Sequence, residues 1–163
     1  MSEALRPATH ARHYDEAINQ IGKTFEIDPH FFIAYHVRAR AYEQKKMYAE
    51  AVADCQEWAK IFHDDPIAIA SLGHVYATMG NRREAEKTVE KLQEISKERY
   101  VSSYWIAVVY AGLGDNDRAF QFLEKAFEER YFLMIWINSD PRLDNLRSDP
   151  RFADLVRRIG LSN

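Results

Sequence analysis

Cysteine is almost missing: Cys55 stands alone among 163 residues. No intramolecular disulfide can form, and a lone thiol four residues after Ala51, on one helical face, reads as a packed core group. Long hydrophobic runs are missing too. None approaches the ~20 residues that a bilayer crossing requires, and no charged-then-apolar leader opens the chain, so a cytoplasmic protein is expected. A large charge of either sign is absent. The formal net charge of −3 gives no general attraction to nucleic acid or to an anionic membrane. Nor does any stretch alternate apolar and polar residues between turn signals, so essentially no sheet is expected.

The residues that catalysis needs are equally sparse. There is no Gly-rich phosphate loop and no Ser/His/Asp nucleophile arrangement. His10 and His13 have i, i+3 spacing, but no further ligand stands at matching distance, and two imidazoles alone rarely hold a metal. Glu84, Glu86, Glu90 and Glu94 with Lys87 and Lys91 read as a solvated helix face with weak ion pairs rather than as acid–base machinery. Asp140-Pro141 and Asp149-Pro150 read as turn starters. No enzyme activity, cofactor or metal is expected.

A period is present instead. Ala17, Ala51, Ala85 and Ala119 stand 34 residues apart, and Tyr42, Tyr76 and Tyr110 keep the same step. Two columns in phase at that length mark a stacked array of helical repeats. The units run 32–65, 66–99 and 100–133, after a partial one in 1–31 whose second helix lies near 14–27, and a cap follows in 134–163. Three residues before each Tyr sits a small residue, Ala39, Gly73 or Ala107, which lets paired helices approach closely. After each Tyr a turn is expected, at Lys45–Lys46, Met79–Gly80 and Leu113–Gly114. Asp64-Asp65 before Pro66 predicts a helix start, and Asp28-Pro29 a helix end.

The pattern of Leu72, Gly73, Tyr76, Gly80 and Ala85 resembles the tetratricopeptide repeat family, over roughly residues 10 to 133. The resemblance implies an all-α, right-handed superhelical solenoid of antiparallel helix pairs, about three and a half units long with a C-terminal capping helix. RNA-binding pentatricopeptide relatives step by one residue more, which argues against them. Asp140–Leu161 also resembles the closing sequence of bacterial arrays found in signalling proteins, which implies a bacterial parent with an upstream effector domain. Here Phe152, Leu155, Val156 and Ile159 predict the apolar face of a short helix stopped by Gly160.

Such arrays line their concave face with the first helix of each unit, and the function implied is a non-catalytic scaffold for protein–protein interaction. Helical spacing then points inward Ile33, His36, Val37 and Arg40 from one unit, Ile67, Ala70, Ser71 and His74 from the next, and Val101, Tyr104, Trp105 and Val108 from the third. Tyr104 and Trp105 are the leading anchor candidates, because aromatic rings give large contact area at low entropic cost. The competing reading packs Trp105 and Val108 between helices and leaves His36 and His74 as groove-edge polar groups. Members that grip a C-terminal carboxylate need Lys, Asn and Arg along these helices, and only Arg40 offers a fixed positive charge. An apolar protein or peptide segment is therefore the expected partner.

The alternative use is self-association. Ile18, Ile21 and Phe25 form a stripe that the helix 32–44 covers only in part, which would pair with a second copy in a homodimer. Trp58 departs from the family's usual small residue; its sister positions hold Thr24, Leu92 and Ala126. A local adaptation of the array around that ring is expected.

Overall fold

The structure, a computed structural model, describes residues 14–28 and 31–161. Along them run α1 (Tyr14–Ile27), α2 (Phe32–Gln44), α3 (Tyr48–Ile61), α4 (Pro66–Thr78), α5 (Arg82–Ile95), α6 (Ser103–Gly112) and α7 (Asn116–Glu128). Two 3₁₀ segments follow, η1 (Phe132–Ser139) and η2 (Pro141–Leu146), and then α8 (Pro150–Ile159). No strand occurs among the described residues. Helices pair in sequence, α2 with α3, α4 with α5 and α6 with α7, while α4 also touches α2 and α6. The inner helices α2, α4 and α6 thus lie side by side, and the molecule is an all-α solenoid of helix pairs. His10 and His13 and the start of the partial unit fall outside the described residues, as does Pro29.

The periodic columns have a mechanical meaning. Each repeating Tyr supplies the carbonyl that closes its inner helix: Met47 N–H donates to Tyr42 O (2.9 Å), Asn81 N–H to Tyr76 O (2.8 Å) and Asp115 N–H to Tyr110 O (3.0 Å). In every case the residue before that donor has a left-handed backbone, Lys46 at φ 59°, Gly80 at 88° and Gly114 at 72°. This is the Schellman closure, and it reverses the chain so that the outer helix folds back on the inner one. The next residue then caps the outer helix where it can. Asn81 accepts from Glu84 N–H and Asp115 from Arg118 N–H, whereas Met47 offers no side-chain cap.

Small residues sit where helices cross. Ala51, Ala85 and Ala119 are fully buried, and Gly73 passes so close to α5 that an added Cβ would stand 2.0 Å from Thr88 Oγ1 and 2.9 Å from Val109 Cγ2. Asp65 starts α4 by accepting from Ile67 N–H (2.7 Å) and Ala68 N–H (3.3 Å), with Pro66 at the first helical position. Trp58 is fully buried in a cluster with Tyr35 and Ala68, flanked by Phe25, Ile61 and Ile67, and meets the His36 ring edge-on at 5.5 Å. It fills the space between α1–α3 and α4. Cys55 is also fully buried, and burial pushes its thiol up, so it is an inert core group.

Candidate docking face

Part of the chain's own C-terminal region lies on the face shared by α2, α4 and α6, the face expected to form the groove. η2 packs against α6, and Asn145 Nδ2 donates to Ala111 O at the end of that helix (2.9 Å). Met134, Ile137, Leu143 and Leu146 are buried in the main core with Tyr104, Trp105 and Val108. Each such side chain favours the seated segment by roughly 1.5–3 kcal/mol.

At the centre stands Asp140. Its carboxylate caps η2 by accepting from Arg142 N–H (3.1 Å) and is gripped by the Arg142 guanidinium, with Nη2 at 2.6 Å and Nε at 2.9 Å. Tyr104 Oη donates to it at 2.7 Å, and Arg40 Nη2, a hundred residues earlier in the chain, reaches it at 3.4 Å. Burial by itself would raise this carboxyl, but Arg142 and Arg40 hold it well below the usual carboxylate range. Burial, with Asp140 adding to it, pushes the Tyr104 phenol well up, so the hydroxyl stays a donor.

The seat is not fully satisfied. Arg40 Nε, Arg142 Nη1, His36 Nδ1 and Ser71 Oγ are sealed from solvent with no hydrogen-bond partner among the described residues. A buried donor left unpaired costs about 1–3 kcal/mol, so these groups oppose the apolar anchors with energies of similar size. Burial pulls the Arg40 guanidinium below its ordinary value despite Asp140 beside it, the sign of a cation short of partners. Burial, then Arg40 and Arg142, drive the His36 imidazole well below its ordinary value, so the ring is neutral at pH 7.

One turn along α2, Glu43 accepts from Thr78 Oγ1 (2.9 Å) and meets His74 Nδ1 at 2.6 Å. Burial would raise Glu43, but the His74 and Thr78 contacts outweigh it and hold the carboxyl low. Glu43 and His74 form one wall of a cleft of about 400 Å³, closed on the other side by Pro141, Arg142, Asp144 and Asn145.

The expected groove residues therefore divide into two sets. Ile33, His36, Val37, Arg40 and Ile67 are partly exposed, and Arg40 and His36 come together with Tyr104 around Asp140. Ala70, Ser71, His74, Val101, Tyr104, Trp105 and Val108 are buried. The expectation that Tyr104 and Trp105 present their rings to a guest is corrected on this point. Trp105 Nε1 donates to Tyr131 Oη (3.0 Å), the Arg142 guanidinium lies 5.4 Å from its ring centre, and both rings are covered by the segment after α7. The N-terminal stripe is covered as well. Ile21 is buried, Ile18 is partly buried, and Phe25 packs against Tyr35 with the rings tilted and their centres 4.4 Å apart, and with Arg38 over its face. Little of it is left for a second copy.

Sequence reasoning missed Asp140, Arg142 and Glu43 as groove residues. It also missed that Phe132, Ile135 and Trp136 of η1 are exposed, as is Tyr100 at the start of the third unit. The apolar run Phe132–Ile137 at the end of the last repeat was the available signal, because such a run where an array ends must pack on something.

Among the described residues no group of three or more His, Cys, Asp or Glu is placed to hold a metal ion, and no helix is long and apolar enough to cross a membrane. What the geometry defines is a helical-repeat scaffold whose inner face carries part of the chain's own C-terminal region. The tetratricopeptide repeat model matches residues 33–61, 68–99 and 101–130, together over half of the chain, and the protein belongs to that family. Repeats of this family generally mediate protein–protein interaction, and proteins built from them are typically non-catalytic scaffolds. No curated protein matches the chain significantly.

Proposed function

We propose that the chain is a protein-interaction scaffold that docks a protein or peptide segment on its inner face, as a regulatory part of a larger bacterial signalling protein. One observation carries this reading: the inner face already holds a stretch of polypeptide in short 3₁₀ segments, with apolar anchors around the buried Asp140 carboxylate. Ile33, His36, Val37 and Ile67 remain partly open beside that stretch and are the positions a guest would touch first. The bacterial context rests on the likeness of Asp140–Leu161 to the closing sequences of such arrays.

A photo-crosslinking residue at Ile33 or Ile67, compared with one at exposed Glu90 on α5, tests the docking face. Crosslinks to a distinct protein from the inner positions, and none from Glu90, are expected. Equal yields from both faces would reject the inner face as the docking surface. The reading frame upstream of Met1 tests the context, where a kinase, cyclase or DNA-binding domain is expected.

A further inference from the structure

The stretch on the inner face has features of a ligand as well as of a core element. Its charged residue, Asp140, is bound by groups from three places in the chain: Arg40 on α2, Tyr104 on α6 and Arg142 on η2. α8, beyond it, has its own hold on α7, where Arg158 grips Glu124 at 2.8 Å and Arg151 reaches Asp117 at 2.9 Å. The span 131–148, two 3₁₀ segments, is thus anchored at both ends, and η1 also packs against α8. A seat built to close once would pair its buried donors, yet the Nε–H of Arg40, the seat's fixed cation, has no hydrogen-bond partner among the described residues. Spare guanidinium donors are the chemistry that recognises a carboxylate, through two parallel N–H···O bonds.

We infer that residues 131–148 act as an intramolecular ligand, and that the guest of the groove is a partner segment whose Asp or Glu side chain replaces Asp140 on Arg40 and Tyr104. The inference rests on the docking reading above and narrows its guest to an acidic residue flanked by bulky apolar ones, as Asp140 is flanked by Ile137 and Leu143. A tethered competitor acts at an effective concentration near the millimolar range, so a free segment gains access only when it binds better or the tether is weakened.

The probe is a fluorescein-labelled synthetic peptide with the sequence of residues 137–147, titrated into the full chain and followed by anisotropy. The wild type is expected to bind it poorly. Asp140→Asn in the full chain should bind at least about tenfold tighter, since the internal competitor has lost its charge, which is the loss of one charge-assisted contact. Adding Arg40→Ala to that variant should abolish the gain, as should Asn in place of Asp140 in the peptide. Asp140→Asn with a wild-type circular dichroism spectrum and no gain in peptide binding overturns the inference. Hydrogen exchange on the wild type decides it even if that variant does not fold. Amides of 137–147 are expected to exchange about tenfold or more faster than those of α4 and α5, through a local opening. Exchange at one common rate for all of them also overturns it. Inner-face crosslinks together with failed peptide exchange would sink this inference and leave the docking reading standing.

Discussion

Two glycines show how far a residue's meaning depends on its neighbours. Gly73 has α5 against it, with Thr88 Oγ1 held in place by its own hydrogen bond to Ala85 O at 2.6 Å. Gly73→Ala must push that hydroxyl off its partner and separate the two helices, and a loss of about 1–3 kcal/mol is expected in urea denaturation. Gly22, in α1, has nothing within 4 Å of where a Cβ would stand. There the same change removes only the entropic penalty of a helical glycine, so Gly22→Ala should gain about 0.5–1 kcal/mol. His36 makes a different residue-scale case. Its folded-state pKa lies well below the usual 6.5, first through burial and then through Arg40 and Arg142. As pH falls below about 6.5 the unfolded chain takes up this proton before the folded one does. The stability it contributes is therefore complete above that pH and declines below it, by at most about 1.4 kcal/mol per pH unit. His36→Gln should flatten the wild-type slope of stability against pH between 6.5 and 5. Parallel slopes for the two proteins would show that the ring titrates freely.

At the scale of elements, the turns between inner and outer helices repeat one design with one imperfect copy. The second and third turns pair a glycine in the left-handed region with a side-chain cap, Gly80-Asn81 and Gly114-Asp115. The first uses Lys46 at φ 59° and then Met47, which caps nothing. Its local sequence therefore carries strain, which the packing of α2 on α3 offsets. Met47→Asp supplies the missing acceptor and should add about 1 kcal/mol; Lys46→Gly, which removes the Cβ from a left-handed position, should add a similar amount. Both are read in thermal and denaturant unfolding, and an unchanged midpoint for each would mean that the turn is not limited by its own chemistry. These turns, the helices around them and the alanine columns were legible in the sequence, because each is set by residues within a few positions of one another. The C-terminal segment was not. Asp140-Pro141-Arg142 and Asp149-Pro150-Arg151 are the same local device, in which the Asp caps the next helix and grips the Arg two residues on. One copy is buried against α6 and the other stands in water. Nothing within either tripeptide separates them; the difference lies in what the preceding chain brings to meet it.

At the scale of the molecule, that meeting changes the kind of object the array is. In a plain solenoid each unit touches only its neighbours, and a perturbation fades over one interface. Tyr104 and Trp105 look like exposed anchors under that rule, since spacing alone points them to the inner face; the chain returning from α7 buries them. The same return ties α2 to η2 through Arg40 and Asp140, across the whole array. Arg40→Leu tests whether that tie carries energy. Asp140 would lose a charged partner in a buried setting, worth roughly 1.5–3 kcal/mol, or about a factor of ten or more in opening. Hydrogen exchange should then accelerate in α2 and in residues 140–147 together, and α5, which packs chiefly on α4, should keep its protection. A bare nearest-neighbour array predicts another outcome, with α2 and α4 loosened and 140–147 untouched. The 3.4 Å separation between Arg40 and Asp140 is long for a hydrogen bond, so the size of the effect on 140–147 measures how much of the closure this one contact supplies.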